Sequence, residues 1–118
     1  MGGFFLIKEL PKNFCLVDTQ IEKNEGWTIK YYFEDKYITE NVIYFIQTDD
    51  DLEEKNFLNG RKMQQNKYYI ETVEGFNIIC WLENDISICL KSNISKDVLE
   101  SIVEKVISYY DVNLNYQF

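Results

Sequence analysis

The sequence predicts an α+β domain in which an antiparallel sheet of six or seven strands packs against one C-terminal amphipathic helix. Three observations lead to this fold class: short runs of alternating apolar residues, a turn dipeptide between two such runs, and a helical apolar stripe near the C-terminus. A chain of 118 residues has the length of one domain. We therefore expect a single domain over residues 1–118.

Several β-strands are predicted in the first two thirds of the chain. Trp27–Glu34 alternates apolar and polar side chains, as a strand with one buried face does. Val42–Thr48 begins with residues that are apolar on both faces, which indicates a central strand covered on both sides. The other predicted strands and turns are Phe14–Ile21, a turn at Asn59-Gly60 leading into a short edge strand over Arg61–Gln65, and Lys67–Val73 closed by Glu74-Gly75.

A β-hairpin is predicted next. Ile78–Glu83 and Ile86–Lys91 are separated by Asn84-Asp85, two residue types that tolerate the positive φ of a type I′ turn. The resulting register places Cys80 opposite Cys89 at a non-hydrogen-bonded pair, where Cα atoms approach to about 4.5 Å. Two reduced thiols are the default interpretation of this pair. The alternative is a reversible bond, which makes Cys80 and Cys89 a candidate redox pair.

The predicted helix covers Lys96–Tyr110. Ser95 suits the N-cap, and Asp97 lies in the first turn, where the helix dipole favours a negative charge. Residues 111–118 have no helical period and predict an extended tail. The apolar residues of the helix recur at the spacing of one stripe: Val98, Leu99, Ile102, Val103, Val106, Ile107 and Tyr110.

The charge balance restricts the classes of partner. The chain has 12 Lys and Arg against 20 Asp and Glu, and its net charge is −8. Such a field repels nucleic acid and favours a basic protein as the partner. The sequence leaves the oligomeric state open.

The longest apolar runs argue against insertion into a membrane. Phe4–Ile7 and Val42–Ile46 are far shorter than the roughly 20 residues that span a bilayer. The N-terminus, in which Met1-Gly2-Gly3 precedes Phe4–Ile7, lacks the basic region and the full apolar region of a signal peptide. We therefore expect no membrane insertion and a cytoplasmic location.

The densest run of negative charge in the sequence occupies residues 49–54. The spacing of its acids imitates the start of an EF-hand loop, but Glu54 stands at the position of the obligatory glycine, and Gly60 at that of the bidentate acid. We interpret the segment as a capped helical turn that also forms a contact surface for a basic partner. The candidate contact residues are Asp49, Asp50, Asp51, Glu53 and Glu54.

The sequence offers no recognisable catalytic apparatus. It has no His to activate a cysteine nucleophile, and its three cysteines match no zinc-binding spacing. We therefore predict no catalytic, cofactor-binding or metal-ligating residues and expect a protein that is not an enzyme. A small enzyme that uses only carboxylates is the enzymatic alternative.

Five segments carry a resemblance to a known family: Leu10–Phe14, Gly26–Phe33, Tyr44–Gln47, Trp81–Ile86 and Asn93–Leu99. Through them, residues 10–108 resemble a bacterial domain of unknown function from low-GC Gram-positive species, which often forms the C-terminal part of membrane-anchored anti-sigma-factor-like proteins and lipoproteins. The resemblance implies a regulatory or sensory role and brings no catalytic residues with it. This sequence lacks the membrane anchor of that common arrangement, so we expect a stand-alone module.

These observations together predict a non-enzymatic module that binds a protein through an exposed sheet face or the acidic segment 49–54. The alternative is a cytoplasmic immunity or inhibitor protein that masks a basic toxin or a nucleic-acid-binding protein. Small size, acidity, a 16% aromatic content and the missing catalytic groups suit this alternative.

Overall fold

The computed structural model describes residues 4–23, 25–49, 57–58, 61–64 and 67–108. Within these residues an antiparallel six-stranded sheet, two short two-stranded ladders and one α-helix form an α+β fold. The elements are β1 (Phe5–Ile7), β2 (Phe14–Lys23), β3 (Trp27–Asp35), β4 (Val42–Thr48), β5 (Phe57–Leu58), β6 (Arg61–Lys62), β7 (Tyr69–Val73), β8 (Phe76–Glu83), β9 (Ile86–Ser92), α1 (Lys96–Val103) and β10 (Val106–Ser108).

The large sheet consists of two meanders that meet in its centre. Its strand order is β2-β3-β4-β9-β8-β7, and the ladder between β4 and β9 joins the two halves. The turn between β8 and β9 has positive φ at both Asn84 (52°) and Asp85 (64°), which confirms the predicted hairpin. Glu74 and Gly75 also have positive φ and connect β7 to β8 in the same way.

The main core lies between one face of this sheet and the helix. Leu99 and Ile102 of α1 are fully buried there, together with apolar side chains of β3, β4, β8 and β9. The N-cap prediction is confirmed, because Ser95 Oγ accepts a hydrogen bond from the backbone N–H of Val98 at 3.3 Å. The buried sheet residues of this core are Phe33, Ile43, Phe45, Ile79, Trp81, Ile86, Ile88 and Leu90.

The helix is shorter than the apolar stripe predicts. It ends at Val103, and Val106–Ser108 forms a strand antiparallel to Phe5–Ile7 instead of two further helical turns. The β-branched pair Val106 and Ile107 favours the extended conformation, and the backbone of β1 supplies its ladder partners. Residues 109–118, including the predicted tail, lie outside the described residues.

The N-terminal strand β1 was not predicted, and a buried amide holds it against the sheet. Gln47 of β4 is completely buried on the core face. Its Oε1 accepts a hydrogen bond from the N–H of Phe5 at 2.6 Å, and its Nε2 donates to the carbonyl of Phe5 at 2.7 Å. The side chain thus pairs with β1 as a neighbouring strand would, and the ring of Phe5 completes the core.

Candidate functional site

The second face of the sheet is covered at one end and open at the other. Towards β7, Met63 and Tyr69 pack on Cys80 and Leu82 in a small second core. Towards β2, the same face carries a depression of about 300 Å³, which we call the tyrosine groove. Its lining residues are Asp18, Gln20, Lys30, Tyr31, Tyr32, Tyr44 and Ile46.

A row of directly opposed residues crosses the tyrosine groove. Asp18 of β2 is the register partner of Tyr32 in β3, and Tyr32 is the register partner of Tyr44 in β4. The two tyrosine rings are in contact, with centroids 5.0 Å apart and planes inclined by 42°. An acid at the sheet edge is therefore followed inward by a pair of aromatic rings.

The hydroxyl of Tyr32 is fixed by a neighbouring acid. It donates a hydrogen bond to Glu34 Oε2 at 2.9 Å. This bond to the neutral phenol, with smaller contributions from burial and from the negative charge of Glu34, raises the pKa of Tyr32 to about 12. The ring of Tyr32 is thus held in one orientation with its hydroxyl turned towards a carboxylate.

The charged groups around the groove are three carboxylates, of Asp18, Glu22 and Glu34, and two ammonium groups, of Lys30 and of Lys91, the register partner of Tyr44. Lys30 Nζ lies 3.5 Å from Glu22 Oε1, an exposed ion pair of small energetic value. Gln20 Nε2 donates to Asp18 Oδ2 at 3.4 Å. The carboxylates around the groove therefore outnumber the ammonium groups by one.

The groove borders a long exposed edge strand. β2 is ten residues long and pairs with β3, and no other described strand pairs with its outer edge. Leu16, Val17 and Ile21 of this strand are 51%, 52% and 61% exposed. A β-bulge between Leu16 and Asp18 shifts the register within the strand. With respect to the described strands, this edge presents backbone groups to which an extended chain can add.

Of the acidic segment 49–54, the structure describes Asp49 alone. Asp49 Oδ1 accepts a hydrogen bond from the N–H of Trp27 at 2.7 Å, and the N–H of Asp49 donates to the carbonyl of Trp27. Its carboxylate therefore closes the end of the β3–β4 ladder. Asp50, Asp51, Glu53 and Glu54 lie outside the described residues, and their role as a contact surface stays a prediction.

The two hairpin cysteines face each other as the predicted register requires. Their Cα atoms are 4.2 Å apart, and a disulfide joins Cys80 to Cys89 in the structure. Cys80 is buried beside Tyr69 and Leu82 in the second core. The third cysteine, Cys15 of β2, is free and half-buried. A reversible redox role for the Cys80–Cys89 bond stays a prediction.

Comparison with protein-family models and with curated proteins adds no relative to this picture. No protein-family model matches the chain, and no curated protein matches it either. The resemblance to the bacterial domain of unknown function therefore stays a prediction. Across the described ranges, we find no helix with both the length and the hydrophobicity needed to cross a bilayer.

Sequence reasoning did not single out the tyrosine groove. The alternation in Trp27–Glu34 places Lys30, Tyr32 and Glu34 on one face of the sheet. This alternation is the signal that could have predicted the part of the tyrosine groove formed by β3. The position of Asp18 opposite Tyr32 depends on the bulge at Val17, for which the sequence gives no sign.

Proposed function

We propose that the protein is a non-enzymatic binding module that accepts an extended, basic segment of a partner protein along the outer edge of β2. The observation that carries this proposal is the exposed ten-residue edge strand with Leu16, Val17 and Ile21 at its surface. Main-chain hydrogen bonds to such an edge supply affinity, and the side chains beside it supply specificity.

Charge supports a basic occupant over a second copy of this chain. The net charge of −8 opposes self-association of two edges, whereas it attracts a segment rich in Lys and Arg. Asp18 and Glu22 lie on β2 itself, on the face of the tyrosine groove. A segment added to β2 would place its cations beside these carboxylates.

Selection from a displayed random-peptide library provides the test, because it samples many extended segments at once and lets the protein choose among them. We expect the selected peptides to be enriched in Lys and Arg and to shift the backbone amide resonances of β2. Ile21→Lys should weaken their binding at least about tenfold, because a lysine on an edge strand opposes strand addition and repels a basic peptide.

Val73→Lys is the matched control. Val73 is 43% exposed on β7, the opposite edge of the sheet, so its substitution adds the same charge at a distance from β2. Binding should then change by less than about twofold. The proposal is wrong if no peptide is selected, or if the selected peptides bind equally well to the Ile21→Lys protein.

A second candidate function is an immunity or inhibitor protein that masks a basic toxin or nucleic-acid-binding protein. The excess of carboxylates around the tyrosine groove favours it, since a masking protein must match a positively charged surface. A toxin gene directly upstream would support this function, whereas a sigma-factor or membrane-protein gene would support the regulatory role that the family resemblance implies. For both candidates we propose the cytoplasm as the compartment.

A further inference from the structure

We propose that the tyrosine groove binds the guanidinium group of an arginine side chain, and that this arginine belongs to the segment added at β2. The inference rests on the proposed function, and it adds the chemical class that the module recognises. Three features of the described residues carry it: the aromatic pair, the surrounding carboxylates and the position of the groove beside the edge.

The aromatic pair offers a surface for a flat cation. Tyr32 and Tyr44 contact each other across adjacent strands, and both line the groove. A guanidinium group stacks on an aromatic face and is more weakly hydrated than an ammonium group, so it gains more from such a surface. The hydrogen bond from Tyr32 to Glu34 keeps the ring oriented before any ligand arrives.

The carboxylates supply hydrogen-bond acceptors and negative charge for a guanidinium group. Asp18 lies next to Tyr32 in the register, on the edge side of the ring. A guanidinium donates two parallel hydrogen bonds to one carboxylate, which a lysine ammonium cannot do. Of the nearby cations, Lys30 forms an exposed ion pair with Glu22, and Lys91, opposite Tyr44, lies over the ring of Phe76, so both are directed towards other groups.

The geometry of strand addition brings an arginine to this point. An added strand would lie about 4.8 Å outside β2, and therefore about two such spacings from the backbone of Tyr32. A side chain on the groove face of the added strand meets Asp18 first and Tyr32 second. The long arginine side chain suits this order, because its stem passes over β2 while its head reaches the ring.

Arginine capped at both termini is the probe, and citrulline with the same caps is its uncharged analogue. In nuclear magnetic resonance titrations, we expect capped arginine to shift the amides of Asp18, Tyr32 and Tyr44 in a saturable way. Capped citrulline should leave these resonances unchanged. The inference is overturned if both probes act alike, or if capped arginine shifts none of the three residues up to its solubility.

Variants separate a binding surface from a structural role. Tyr32→Leu should weaken the binding of capped arginine about fivefold. Tyr32→Phe keeps the ring, so its affinity for capped arginine should stay within about twofold of the wild-type value. Tyr68→Leu is the matched control, since Tyr68 is an exposed tyrosine next to Trp81 and away from the groove. Equal losses for the Tyr32→Leu and Tyr68→Leu proteins would contradict the inference.

The outcomes also distinguish this inference from the proposed function. Ile21 pairs with Ile29 on the opposite face of the sheet, so Ile21→Lys should block peptides and leave capped arginine bound. If peptides bind β2 but replacing their arginines by citrulline does not weaken that binding, the inference fails and the proposed function stands. If capped arginine binds and no peptide does, the proposed function fails together with the placement of the arginine on an added segment, and the groove stands as a guanidinium site.

Discussion

Gln47 and Phe5 are joined by two hydrogen bonds although 42 residues separate them in the chain. The amide of Gln47 satisfies both backbone groups of Phe5 in an interior that excludes water. The amide of Gln47 thus joins β1 to the large sheet by hydrogen bonds, the ring of Phe5 adds apolar packing in the main core, and the ladder with β10 holds the same strand along its other side.

Gln47→Leu should destabilise the fold by about 2 kcal/mol, because it leaves the buried N–H and C=O of Phe5 without a partner. We expect faster hydrogen exchange of the Phe5 amide in this variant as well as a lower free energy of unfolding in urea. Gln20→Leu is the control, since Gln20 is an exposed glutamine on β2 and should change stability by less than about 0.5 kcal/mol. Equal effects of both substitutions would contradict the role assigned to Gln47.

Leu99 and Val98 are neighbours in α1 with opposite environments. Leu99→Ala should cost about 2–5 kcal/mol, because Leu99 is fully buried and its truncation leaves a cavity. Val98→Ala should change stability by less than about 0.5 kcal/mol, since Val98 is exposed. Urea unfolding of both variants checks the prediction, and a small effect at Leu99 would mean that the helix does not cover the sheet.

The parts of the fold that the sequence predicts are those determined by neighbouring residues. Asn84 and Asp85 fix the hairpin, because both adopt positive φ and the turn then sets every cross-strand pair. Ser95 fixes the start of the helix through its own hydroxyl. In each case the physical cause lies within a few residues of its effect.

The parts that the sequence did not predict depend on distant partners. The stripe after Val103 fits a helix, yet Val106–Ser108 is extended because Phe5–Ile7, near the other end of the chain, supplies its hydrogen bonds. The tyrosine groove likewise depends on which strand lies beside β3 and on the bulge near Val17. Local periodicity carries no information about either choice.

The phenol of Tyr32 should make stability depend on pH in the alkaline range. The fold raises the pKa of Tyr32 from 10.0 to about 12, chiefly through the hydrogen bond to Glu34, so it favours the protonated phenol. This contribution is complete below about pH 10 and is lost as the pH rises towards about 12. The difference in unfolding free energy between the wild type and Tyr32→Phe should therefore be constant below about pH 10 and shrink above it. A difference that does not vary with pH would contradict this assignment.

The bond between Cys80 and Cys89 predicts a specific pattern of thiol reactivity. Protein isolated and denatured without reductant should react with an alkylating agent at Cys15 alone, as mass spectrometry of the digested chain would show. Three alkylated cysteines would mean that the pair is reduced in the isolated protein.

Reduction of the Cys80–Cys89 bond should lower the free energy of unfolding by about 2 kcal/mol, because the bond restricts the unfolded chain. Cys15→Ser should leave that loss unchanged.

The two tryptophans should respond differently to replacement by phenylalanine. Nε1 of Trp27 is buried and, among the described residues, has no hydrogen-bond partner, whereas Nε1 of Trp81 donates to Glu83 at 3.3 Å. Trp27→Phe removes an unsatisfied donor, which stabilises the fold, and some apolar contact, which destabilises it, so the two effects on the free energy of unfolding oppose each other. Trp81→Phe removes a satisfied donor from a ring that is 2% exposed, so both effects destabilise the fold.

We therefore expect Trp81→Phe to cost about 1–2 kcal/mol more than Trp27→Phe in urea unfolding. Glu83→Gln serves as the control for the hydrogen bond, since it keeps an acceptor for the Trp81 indole and should have a much smaller effect. A larger loss for Trp27→Phe than for Trp81→Phe would contradict this prediction.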